Sequence, residues 1–99
     1  MTDKELKDMS EIDVAILLGT KLLGMDKFAL ATKWFDPINK DVDCMMVWKQ
    51  FCSQGLREAK IAHLHRDGHW NWYAYCKGCL SVNKDMNRAM CECMVKAVA

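Results

Sequence analysis

The chain is short of the residues that loosen or interrupt a fold. It has one proline, Pro37, and five glycines in 99 residues. That composition excludes a proline-rich linker or a long disordered tail. Long apolar runs are missing too. The longest clean one, Val14 to Leu18, falls far below the roughly 20 residues needed to cross a bilayer. The opening stretch MTDKELKDMSEID is charged throughout and lacks the apolar centre and small-residue cleavage site of a secretory signal. These absences lead to an expectation of a cytoplasmic protein with no membrane partner. In that compartment the six cysteines are expected to be reduced, mostly as small buried hydrophobes.

A large charge excess is also absent. The net charge is +1 and the pI is near 7.6, which argues against direct nucleic-acid binding. The halves nevertheless differ: residues 1–43 hold nine acids and six bases, residues 44–99 four acids and eight bases. Such asymmetry can orient a partner. Catalytic signatures are lacking as well, with no oxyanion-hole motif, phosphate-binding glycine loop or His-Glu-x-x-His. A Cys–His pair could be drawn from Cys52 or Cys76 with His63, His65 or His69, but nothing else supports catalysis, and no enzyme is expected.

What is present is a concentration of chemistry in HLHRDGHWNWYAYCKGCLSV, residues 63–82. It carries all three histidines, both tyrosines, two of the four tryptophans and two cysteines. Alternation from Lys60 to His65, an Arg66-Asp67-Gly68 turn and renewed alternation from His69 to Cys76 predict a β-hairpin. A second turn at Lys77-Gly78 leads to a short strand, Cys79 to Val82.

The rest of the chain reads as helices. Ser10 and Asp13 resemble a capping pair ahead of Val14, Ala15, Leu18, Leu22 and Met25, and Gly24 suits a helix end, so a helix is expected over Glu11–Leu23. Residues 25–41 read as a loop packed over the core, with Asp36-Pro37 as a turn. Asp41 or Asp43 is expected to cap a second helix whose face is Cys44, Val47, Trp48, Phe51 and Cys52, closing at Gly55, with Met45 and Met46 extending its core face. Asn83 or Asp85 should cap the last helix. That helix has Met86, Ala89, Met90, Cys93, Met94, Ala97 and Val98 at helical spacing, and its other face carries Asn87, Arg88, Cys91, Glu92 and Lys96. The predicted order is α-α-β-β-β-α: one α+β domain over residues 1–99 with a small three-stranded antiparallel sheet, residues 1–9 forming a flexible N-terminal segment.

Strand alternation puts Trp70, Trp72, Ala74 and Cys76 on one face of the sheet and Asn71, Tyr73 and Tyr75 on the other. Both faces are apolar enough to bury, so helices on each side, an α/β/α sandwich, would cover them. A bare face would instead offer Tyr73 and Tyr75 as a stacking surface for a nucleobase or peptide. Cys76-Lys77-Gly78-Cys79 has zinc-knuckle spacing, with Cys91-Glu92-Cys93 downstream. Residues two apart on a helix point about 200° from each other, however, so Cys91 and Cys93 cannot both grip one ion. No cofactor and no resident metal are expected, and a structural zinc on Cys76 and Cys79 stays an alternative.

Four stretches together resemble the small phage and prophage proteins of the phage ABA sandwich domain family: LLGTKLLGM, WFDPINKD, VWKQF and AMCECMVKAV. The resemblance implies helices outside a central antiparallel sheet and carries no functional residues. A phage accessory role implies a non-enzymatic protein that binds a protein partner, for instance an inhibitor of a bacterial defence system such as an anti-CRISPR. The alternative is a small-ligand binder for nucleotide signals, with a homodimer left open. The residues expected to make contact are Trp34, Asp36, His65, Arg66 and His69, in the long loop and at the hairpin turn.

Overall fold

A computed structural model describes residues 3–26, 35–54, 59–76 and 78–98. The order is α1 (Asp3–Asp8), α2 (Glu11–Leu23), α3 (Asp41–Ser53), β1 (Ala59–Arg66), β2 (His69–Cys76), β3 (Cys79–Asn83) and α4 (Met86–Val98). The three strands form one antiparallel sheet in the order β1-β2-β3. The chain is therefore an α+β domain with helices packed on a small antiparallel sheet.

Local chemistry explains the element ends. The Ser10 side chain accepts from the Asp13 backbone N–H at 3.2 Å, and Gly24 closes α2 at φ 64°, a left-handed geometry that costs glycine least. Helix α3 begins after Lys40 with no side-chain cap, contrary to the expected aspartate cap. Asp41 and Asp43 lie inside the first turn, where they still suit the positive helix end. Asp43 is drawn away to accept from the Asp36 backbone N–H at 2.9 Å. The helix ends at Ser53 with Gln54 beyond it, and Gly55 lies outside the described residues. At α4 both expected residues take part: Asn83 accepts from the Asp85 N–H at 3.0 Å, and Asp85 accepts from the Arg88 N–H at 2.9 Å. The hairpin turn has Asp67 at φ 53° and Gly68 at φ 79°, two successive positive angles that match the twist of the flanking strands.

Helix α4 is the centre of the molecule. It lies against β2 and β3 and is also touched by α1, α2 and α3. Its supposed outward face is buried: Asn87, Cys91 and Glu92 are 5%, 0% and 1% exposed. The reason is α1. The segment expected to be flexible is helical over Asp3–Asp8, and it docks Leu6 into the core. Arg88 ties the two helices together, donating to the carbonyls of Leu6 at 2.8 Å and Met9 at 3.0 Å while its Nε sits 2.9 Å from Glu92. The Leu6 carbonyl also accepts from the Met9 backbone N–H at 3.3 Å, so Arg88 adds a second donor at the end of α1. Lys7 reaches the other Glu92 oxygen at 3.5 Å. Lys7 and Lys96 also donate to the carbonyls of Val82 and Leu80 on the free edge of β3, blunting that edge against strand addition.

The sheet is covered unequally. Ala74 and Cys76 belong to the core, and Ala59, Ile61, Trp72 and Cys79 pack against it. The register puts these six on one face. The opposite face carries Ala62, Leu64, Tyr73, Tyr75, Leu80 and Val82, none of which joins the core cluster. Tyr75 and Leu80 stand 43% and 49% exposed. Among the described residues, the two-sided covering expected of the sheet is realised on one face, because α2 and α3 stack on α4 instead of crossing to the other side.

Candidate functional site

The strands have unequal lengths, and that builds the site. Strand β3 ends at Asn83, opposite Trp72, whereas β1 and β2 continue pairing to Arg66 and His69. Leu64–Arg66 and His69–Asn71 are therefore a two-stranded overhang, a hairpin arm that leaves the third strand behind. On its helix-side face the register sets His63 across from Trp72 and His65 across from Trp70. The His63 ring stacks on Trp72 with centroids 4.4 Å apart and planes 16° from parallel, and it also meets Trp70 at 4.9 Å. His65 meets Trp70 at 5.1 Å. Four rings thus brace one another on adjacent strands, which fixes flat aromatic surface at little entropic cost. Trp70 nonetheless remains 60% exposed.

The arm's other face is different. Arg66 holds its guanidinium 5.2 Å from the centroid of Tyr73, within cation–π range. His65, Arg66 and His69 are all exposed, so three of the expected contact residues gather at the tip. His65 faces the helix side, and Arg66 and His69 face away from it.

The other two expected residues do not join them. Trp34 lies outside the described residues. Asp36 is half-buried and serves its own turn: one carboxylate oxygen accepts from the backbone N–H groups of Ile38 at 3.3 Å and Asn39 at 3.1 Å, the other from the Asn39 amide at 2.9 Å. Burial opposes its ionisation, but these hydrogen bonds outweigh that and hold the carboxyl below the usual range. Its neighbours Phe35 and Ile38 are buried, and Glu11, Ile12, Ala15, Phe35 and Asp36 line a cavity of 280 Å³.

Sequence reasoning missed two exposed features. Trp70 read as core, and the signal that corrects it is strand length, since a five-residue β3 cannot reach it. Met45 and Met46 read as extending the core face of α3, yet they stand 41% and 43% exposed beside Val42 at 80%. Their positions fall on the flank of the helix turned from Cys44, Val47 and Phe51.

The cysteines divide as helix geometry requires. Cys93 meets Cys76, sulfur to sulfur, at 2.9 Å, while Cys91 is hydrogen-bonded with Cys44 on α3. The Cys44 contact and burial both push the Cys91 thiol far up, and burial followed by the Cys76 contact does the same for Cys93. Such thiols are poor nucleophiles. Among the described residues no group of three or more His, Cys, Asp or Glu side chains converges to hold a metal ion, and no helix is long and apolar enough to cross a membrane.

No known protein family, curated protein or solved structure matches the chain. The likeness to phage ABA sandwich proteins rests on the residue pattern alone.

Proposed function

We propose that the chain is a non-enzymatic binding protein that engages a protein partner through its hairpin arm. The observation that carries this reading is Trp70, 60% exposed on a two-stranded overhang and braced by His63 and His65. Tryptophan is the residue type most often found at the energetic centre of protein interfaces, where burial of one ring commonly supplies about 2 kcal/mol or more. A rigid aromatic projection that inserts into a partner's cleft suits inhibition by obstruction. With the phage resemblance as the guide, a bacterial defence complex is the first partner to try.

The test is a tagged pull-down from a bacterial host comparing the wild type with Trp70→Ala and, as a surface control, Met45→Ser. The expected outcome is a stoichiometric partner recovered by the wild type and by Met45→Ser and lost with Trp70→Ala. Recovery of no partner, or of the same partner with Trp70→Ala, would overturn the reading.

A further inference from the structure

We infer that the face of the sheet turned away from the helices binds single-stranded nucleic acid. Tyr73 and Tyr75 stand there on the central strand, two residues apart, which places their rings about 7 Å from each other along β2. Tyr75 is 43% exposed, and Leu80 beside it is 49% exposed. Phenol rings on an open sheet are stacking platforms for bases of any identity. A base can stack on the Tyr75 ring only from an unstacked strand, since a duplex keeps its bases stacked inside.

The charge on this face is of one sign. Lys60 and Arg66 stand near the two ends of β1, and among the described residues no carboxylate belongs to the face in the strand register. Arg66 already lies over the Tyr73 ring, so a base on Tyr75 and a phosphate at Arg66 can be engaged together. The net charge of +1 conceals this arrangement. Residues 59–83 hold Lys60, Arg66 and Lys77 against a single acid, Asp67, whereas most of the acids lie in the first 43 residues. The apolar patch is also small for self-association. Two strands about 25 Å long and a third of about 17 Å, each about 4.8 Å wide, give a footprint of roughly 320 Å², against the roughly 800 Å² per partner of a stable interface.

The site lies on the opposite face from Trp70, so this inference and the protein-binding reading fail separately. Fluorescence anisotropy with a labelled oligodeoxythymidine of about twelve nucleotides and the matching oligouridine tests it. The wild type should half-saturate at about 1–100 µM near physiological salt. Two phosphates neutralised by Lys60 and Arg66 give a logarithmic salt slope of about −1.4, or about a sevenfold loss between 50 and 200 mM. Tyr75→Ala should weaken binding by about fivefold or more. The paired charge reversal Lys60→Glu, Arg66→Glu should abolish it. No anisotropy change up to about 100 µM, full affinity in Tyr75→Ala, or equal affinity for a blunt duplex of the same length would each overturn the inference. So would a dimer in sedimentation velocity that Tyr75→Asp dissociates.

Discussion

The two ends of one hairpin obey different rules. At the Cys76 end, β2 is flanked by strands on both sides and roofed by α4, and Ala74 and Cys76 are wholly buried. At the Trp70 end the same strand has, among the described residues, one neighbour and no roof, and its aromatics are held by each other. Both ends have the same alternation, but the Trp70 end is the more polar, with His63, His65, Arg66, His69 and Asn71 against Lys60 alone at the Cys76 end. The length of the adjoining elements also separates them. Burial is thus a property that β3 and α4 confer on β2, and where they stop, side chains of core type become contact surface.

Three single substitutions and one double variant probe that contrast. The largest effect belongs to the covered side: Phe51, 1% exposed on α3, should cost about 3–5 kcal/mol when replaced by alanine, from lost transfer energy and the cavity left behind. Urea unfolding measures this, and a loss below about 1 kcal/mol would show that the helical layer is not the stabilising unit. Next comes Arg88→Ala. It leaves Glu92, whose side chain is 2% exposed, with only the half-exposed Lys7 at 3.5 Å and strips a donor from the carbonyls of Leu6 and Met9. A loss of about 3 kcal/mol is expected. Replacing Arg88 and Glu92 together by methionine should recover most of it, because no buried charge is then left unpaired. The smallest effect belongs to the arm: Trp70→Ala should change stability by less than about 1 kcal/mol, since the ring is mostly in water already. A larger loss would mean that the arm is part of the fold and would blur the contrast.

Much of this architecture was legible in the sequence, and the part that was not has a physical cause. Ser10 and Gly24 mark the limits of α2, the Asp67-Gly68 turn sets the hairpin register, and the apolar repeat from Met86 to Val98 marks α4 over its full length. Each of these is local chemistry, decided within a few residues. The number of layers is not local. An apolar strand face says that something could cover it and not whether anything does. Here the helices gather around α4, leaving Tyr75 and Leu80 in water. The burial of Glu92 was hidden for a related reason: a charged residue reads as outward until a distant Arg88–Leu6 contact brings α1 over it. The candidate site was half legible. His65, Arg66 and His69 stand at the tip where the turn put them, whereas Trp70 became visible only once β3 was known to end at Asn83.

The central place of α4 also has a consequence for how the molecule comes into being. The helix against which α1, α2, α3 and the sheet all rest is the last of these elements to leave a ribosome. Until it arrives, the apolar faces of α2 and α3 and the underside of the sheet have no common partner, and the contact from Arg88 to Leu6 spans 82 positions. Closing loops of that length comes before the contacts that reward it. Synthesis therefore passes through a stage in which α1, α2, α3 and the sheet are out while the core between them is still open. In that interval the chain depends most on the hairpin's fast local pairing, and on chaperones, to stay apart from its neighbours.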